Sequence, residues 1–135
     1  MRFRFRKAAH VLERIGLAMA GAACGLFVGA HVGSAIPQLT TQGFLMLMML
    51  LGVVGFYIGI DTPQLPFDEA HSRIDAAELL SSAGTFLATI ASLASVAVIV
   101  LRLEPHSALT WLVLLAWIAG VAMQIIAGAK ARMRK

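Results

Sequence analysis

The sequence predicts an all-α integral membrane protein: a single domain, residues 1–135, whose four transmembrane helices form an up-down-up-down bundle held by glycine-rich small-xxx-small packing. Three observations carry this. Hydrophobic residues make up 59% of the chain and charged residues only 13%, with a mean hydropathy of +0.84, whereas soluble domains are about 25% charged. The apolar residues fall into four runs, 12–35, 43–60, 76–101 and 108–129, and a helix crosses about 30 Å of hydrocarbon with about 20 residues. Ten of the eleven lysines and arginines lie on one side of these runs: Arg2, Arg4, Arg6, Lys7 and Arg14, then Arg73, then Lys130, Arg132, Arg134 and Lys135. Only Arg102 falls on the other side. Basic residues stay with the cytoplasm, so both termini are expected there, in a bacterial inner membrane as the simplest host.

The first helix follows a start that alternates arginine with phenylalanine, suited to an interfacial segment or a basic tail that sets topology. A cleaved export signal would share the basic start and the small residues Gly33 and Ala35, but signal cores run only about 7–15 residues. Within this helix Gly21, Gly25, Gly29 and Gly33 recur every fourth residue, with Gly16 just out of register. Such spacing drifts by about 40° per step on a helix of 3.6 residues per turn, so the glycines form one smooth stripe against which another helix can close. Cys24, the sole cysteine, sits in the same helix and reads as a small packing residue. Pro37 opens a short uncharged outer linker, because proline lacks the N–H that a continuing helix needs.

The second helix, 43–60, has a methionine and leucine run followed by Gly52, Gly55 and Gly59. Its first half reads as lipid-facing and its second half as contact surface. Pro63 and Pro66 then hold an extended start to a cytoplasmic loop, 61–75. The third helix, 76–101, opens on Asp75-Ala76-Ala77-Glu78, which fits a capping box. It carries Gly84 among hydroxyls at Ser81, Ser82, Thr85, Thr89, Ser92 and Ser95. The fourth, 108–129, follows a short reversal and supplies Gly120 and Gln124. An amide at that depth seeks a partner across a helix interface, for about 1 kcal/mol, so Gln124 is expected to clamp two helices.

Chemistry is sparse. No ionisable residue lies at a membrane centre, which opposes a proton relay. His10, His31, His71 and His106 show no ligand spacing, and neither do Asp68, Glu69 and Asp75 beside His71, so no metal or other cofactor is expected. The basic residues are confined to the tails and loops beside the membrane, where they favour anionic headgroups rather than nucleic acid. Asp68, Glu69 and Asp75 offer an acidic surface for docking a partner or for pairing with the basic tail. The expectation is a non-enzymatic accessory or assembly subunit, acting through helix packing and the acidic loop, among lipid and other subunits or copies of itself. The alternative is a small homo-oligomeric channel or transporter lined by the hydroxyl and glycine stripes.

Overall fold

The computed structural model describes residues 2–59, 76–104 and 106–133, and side chains from Lys7 onward. It contains helices α1 (Arg2–Ala35), α2 (Gln42–Gly59), α3 (Ala76–Val100) and α4 (Ser107–Met133), and a 3₁₀ turn at Pro37–Leu39. All four helices are long and apolar enough to cross a membrane, so the chain is that of a multi-pass membrane protein.

Two bounds differ from the sequence expectation by more than one residue. Helix α1 begins at Arg2 rather than at 12, because the basic start contains no glycine or proline and arginine and lysine are good helix formers. Helix α4 runs to Met133 rather than stopping at 129, so Lys130 and Arg132 fall in its last turn, where cations complement the negative end of the helix dipole. Three other ends are fixed locally. At the close of α1 the Ile36 N–H still reaches the Val32 carbonyl at 2.8 Å, and the Thr40 hydroxyl donates to the Gly33 carbonyl at 2.7 Å. Thr41 then caps α2, its Oγ1 accepting the Phe44 N–H at 3.2 Å. Helix α3 ends in a Schellman motif, with the Leu103 N–H on the Val98 carbonyl at 3.0 Å and the Arg102 N–H on the Ile99 carbonyl at 3.3 Å. Arg102 holds the left-handed position, φ 52°, usually given to glycine.

The helices pair as two antiparallel hairpins, and the glycines mark where they touch. A Cβ on Gly21 would strike the Gly52 carbonyl oxygen, and one on Gly25 the Met48 carbonyl oxygen; one on Gly29 would lie 3.1 Å from Leu45 Cδ2. One series rises as the other falls, which is the register of an antiparallel pair. In the other hairpin a Cβ on Gly84 would lie 2.6 Å from the Gly120 carbonyl oxygen, and one on Gly120 would lie 2.7 Å from the Ala88 nitrogen. The hairpins join through α2 against α4, where Gly128 receives Ile58 and Gly55 faces Gln124 and Val121. Going round the bundle, the order is α1, α2, α4, α3; α2 and α3 lie diagonally and barely touch.

At the centre, Val28 of α1, Met48 and Phe56 of α2, Ala88 and Ala91 of α3, and Val113, Trp117 and Val121 of α4 form one buried cluster. Leu50, Phe86, Leu93, Leu112 and Leu115 point outward, an arrangement that lipid tails solvate. Gly16 is the exception among the α1 glycines, with nothing within 4 Å of a Cβ placed there. Gly16→Ala is therefore expected to stabilise the protein by up to about 1 kcal/mol through helix propensity alone. Reversible unfolding in mixed micelles, followed by circular dichroism, would detect the gain; a loss would mean that this face of α1 is not open.

Candidate functional site

Helices α1 and α3 run side by side without closing on each other where they begin, and an open groove of about 660 Å³ lies between them. One wall is a stripe of α1, His10, Glu13 and Leu17, at spacings of three and four. The other is a stripe of α3: Glu78, Ser82, Thr85 and Thr89 follow one another at intervals of four, three and four. Ser81 and Phe86 flank that stripe, and Gly59 closes the α2 side. Both stripes arise because residues three and four apart share a helix face. From Glu78 to Thr89 the groove follows α3 for roughly 16 Å at 1.5 Å per residue, about half the hydrocarbon thickness.

Hydrogen bonding gives this groove a definite polarity. The Ser81 hydroxyl donates across to the Gly59 carbonyl at 2.8 Å, tying α3 to α2. The remaining hydroxyls turn back on their own helix: Ser82 donates to the Leu79 carbonyl at 3.0 Å and Thr85 to the Ser81 carbonyl at 2.9 Å. Thr89 shares its proton between the Thr85 and Phe86 carbonyls, at 2.9 and 3.0 Å. Each of these side chains has one proton to give and two lone pairs. With the protons directed at backbone, what remains for a ligand is acceptor oxygen. On the facing wall the Glu13 carboxylate lies 3.8 Å from His10 Nδ1, and Glu78 adds a second carboxylate at the first turn of α3.

Behind the groove sits Gln124, 1% exposed. Its Nε2 donates to Thr85 Oγ1 at 2.8 Å, across α4 and α3. Its Oε1 has no partner among the described residues and faces α2, where it would lie 2.8 Å from a Cβ on Gly55. Gly59 packs beside the stem of the same side chain, a Cβ there being 3.4 Å from the Gln124 Cβ.

A second polar locus lies near the far end of the bundle. His31 is fully buried, with Nε2 3.4 Å from Thr110 Oγ1 of α4 and Nδ1 without a partner among the described residues. Thr110 also lies 3.4 Å from the His106 carbonyl, while the His106 side chain is exposed. Among the described residues no three histidine, cysteine, aspartate or glutamate side chains gather closely enough to hold a metal ion.

The structure therefore sorts the residues singled out from sequence. Gly21, Gly25, Gly29 and Gly33 face α2 and the turn that follows α1, Gly55 and Gly59 face Gln124, and Gly84 and Gly120 face each other. The acidic trio Asp68, Glu69 and Asp75 lies outside the described residues, as do His71 and the capping partner of Glu78. His10 and Glu13 face the hydroxyl stripe, a juxtaposition that the sequence does not show. The stripes themselves are legible as residues three and four apart, but nothing in one sequence says which two helices are neighbours. Comparison with family models, curated proteins and solved structures finds no match to this chain.

Proposed function

We propose that this chain is a non-enzymatic protein of the bacterial cytoplasmic membrane, with both termini in the cytoplasm, serving as an accessory or assembly subunit of a larger membrane system. The observation that carries this reading is the use of the glycines. Most of the glycine faces of α1, α2, α3 and α4 are turned onto one another inside a single copy, which supports packing within the bundle over a pore lining or a zipper between copies. Outward the bundle offers large apolar side chains, which suit lateral contact with lipid and with other membrane subunits. Small-xxx-small packing, which gains van der Waals contact where lipid removes the hydrophobic drive, is what holds the up-down-up-down bundle. The one-sided positive charge orients it. Under this orientation the α1/α3 groove opens toward the cytoplasm, at the end where the loop bearing Asp68, Glu69 and Asp75 connects α2 to α3.

One observation favours a second reading, a small homo-oligomeric transporter: the groove follows α3 to about mid-membrane rather than stopping at the surface. The two readings separate on mass. Native mass spectrometry of the protein extracted in mild detergent is expected to give a complex with foreign subunits in fixed stoichiometry. A homo-oligomer alone would overturn the accessory reading and favour the transporter; a bare monomer would overturn both.

A further inference from the structure

We infer that the α1/α3 groove is a binding site for an organic ammonium ion that carries an apolar body. This goes beyond the accessory role and holds whichever subunits surround the protein.

The hydroxyl protons set the polarity of the α3 wall. The Ser81, Ser82, Thr85 and Thr89 hydroxyls each donate to a backbone carbonyl, and Thr85 also receives the Gln124 amide proton. Turning one of these hydroxyls toward a ligand would give up a bond already made, whereas its remaining lone-pair capacity is available without that loss. The α3 wall therefore accepts more readily than it donates. An anion or a carbonyl-bearing ligand would find lone pairs facing lone pairs, whereas an ammonium brings only donors.

Charge points the same way. Glu13 on α1 and Glu78 on α3 bring a carboxylate to each wall near the mouth, and the His10 ring lies on the Glu13 side, 3.8 Å from that carboxylate. Hydrogen bonds from a cation to carboxylates are roughly twice as strong as neutral ones. Deeper along the groove Leu17 and Phe86 join Thr85 and Thr89, so a head held at the mouth would lay its body against apolar surface and an aromatic ring. The volume of about 660 Å³ lies within the roughly 300–1,000 Å³ of small-molecule sites. A bare metal ion fits less well, since no three ligating side chains gather among the described residues.

This chemistry has two sources beside a membrane: a free amphiphilic amine, or the primary amine of a phosphatidylethanolamine headgroup. The test uses the full chain in nanodiscs of phosphatidylcholine, whose quaternary head has no N–H to give. Dansylcadaverine, a primary ammonium on an aromatic body, is titrated and read by its fluorescence above that of empty discs. A dansyl amino acid bearing a carboxylate in place of the amine serves as the charge-reversed probe. Saturable binding is expected for the ammonium and not for the carboxylate. Glu13→Gln together with Glu78→Gln is expected to raise Kd by about tenfold or more, the effect of losing hydrogen bonds to charged groups. Glutamine retains the capping ability of glutamate at the start of α3, and circular dichroism verifies that the variant is folded.

Repeating the titration in discs containing phosphatidylethanolamine identifies the source. Lost probe binding means that the headgroup occupies the groove, retained binding means a free amine, and both support an ammonium site. Absence of saturable binding to the wild-type protein, equal affinity for the two probes, or an unchanged Kd in the folded double variant would each overturn the proposal.

Discussion

Gly25→Leu is expected to separate α1 from α2 and to leave no monodisperse folded protein. A Cβ at Gly25 would fall on the Met48 carbonyl oxygen and 2.7 Å from its carbon. These are backbone atoms inside a helix, so no rotamer change can relieve the contact. Four residues away Gly21 meets Gly52 in the same manner, and two rigid helices cannot part at one point while remaining in contact at the next. In water, hydrophobic burial elsewhere would resist the separation; in lipid, attraction between helices rests on van der Waals contact and a few hydrogen bonds. Overpacking a core ordinarily costs about 1–3 kcal/mol; here both helices must yield, and the loss is expected at or beyond the top of that range. Gel filtration and unfolding in mixed micelles would read it, with Gly16→Ala as the matched substitution at an open site. A Gly25→Leu protein with wild-type elution and stability would refute the close approach of α1 and α2.

Trp117→Ala should have the next largest effect, by the opposite mechanism. Trp117 is 0% exposed and lies in a cluster drawn from all four helices. The tip of its ring, Cη2, would be 3.3 Å from a Cβ on Gly52, so the indole fills space that the missing glycine side chain leaves between the hairpins. Among the described residues its Nε1 has no hydrogen-bond partner, and truncation there removes packing alone. In a soluble core Trp→Ala costs about 3–5 kcal/mol as a transfer term plus a cavity term. A lipid reference state removes most of the first, leaving an expected loss of about 2–4 kcal/mol. Trp117→Phe should recover part of it. A loss under about 1 kcal/mol for the alanine variant would mean that the helices collapse onto the gap, a looser core than the burial of Trp117 implies.

Much of the fold was legible because lipid imposes few solutions. The four apolar runs fall almost where the helices do, since a spanning helix must satisfy its own backbone. Pro37 marked the turn after α1, and Gln124 stood out because an amide in hydrocarbon must find a partner. The longer α1 was not legible: propensity let the helix continue through Arg2 to His10, while the density of charge read as a tail. Neither was the groove. Glu13 and Arg14 read as adjacent opposite charges that both reach headgroups, and only neighbouring helices reveal that Glu13 faces α3 whereas the Arg14 guanidinium lies 5.7 Å over the Tyr57 ring of α2. Helix adjacency depends on crossing geometry and hairpin docking, which one sequence does not encode locally.

The length of the first helix has a consequence for the bilayer itself. Helix α1 has 34 residues, a span of about 51 Å at 1.5 Å per residue, against a hydrocarbon layer of about 30 Å. Because close glycine contacts bind it to α2 side by side, α1 cannot tilt on its own to bury that length, and its charged first turns extend past the hydrocarbon. Acyl-chain length thereby becomes a variable acting on this protein: a thicker layer draws those charged turns toward hydrocarbon and a thinner one leaves them among headgroups, which biases where in the membrane it collects.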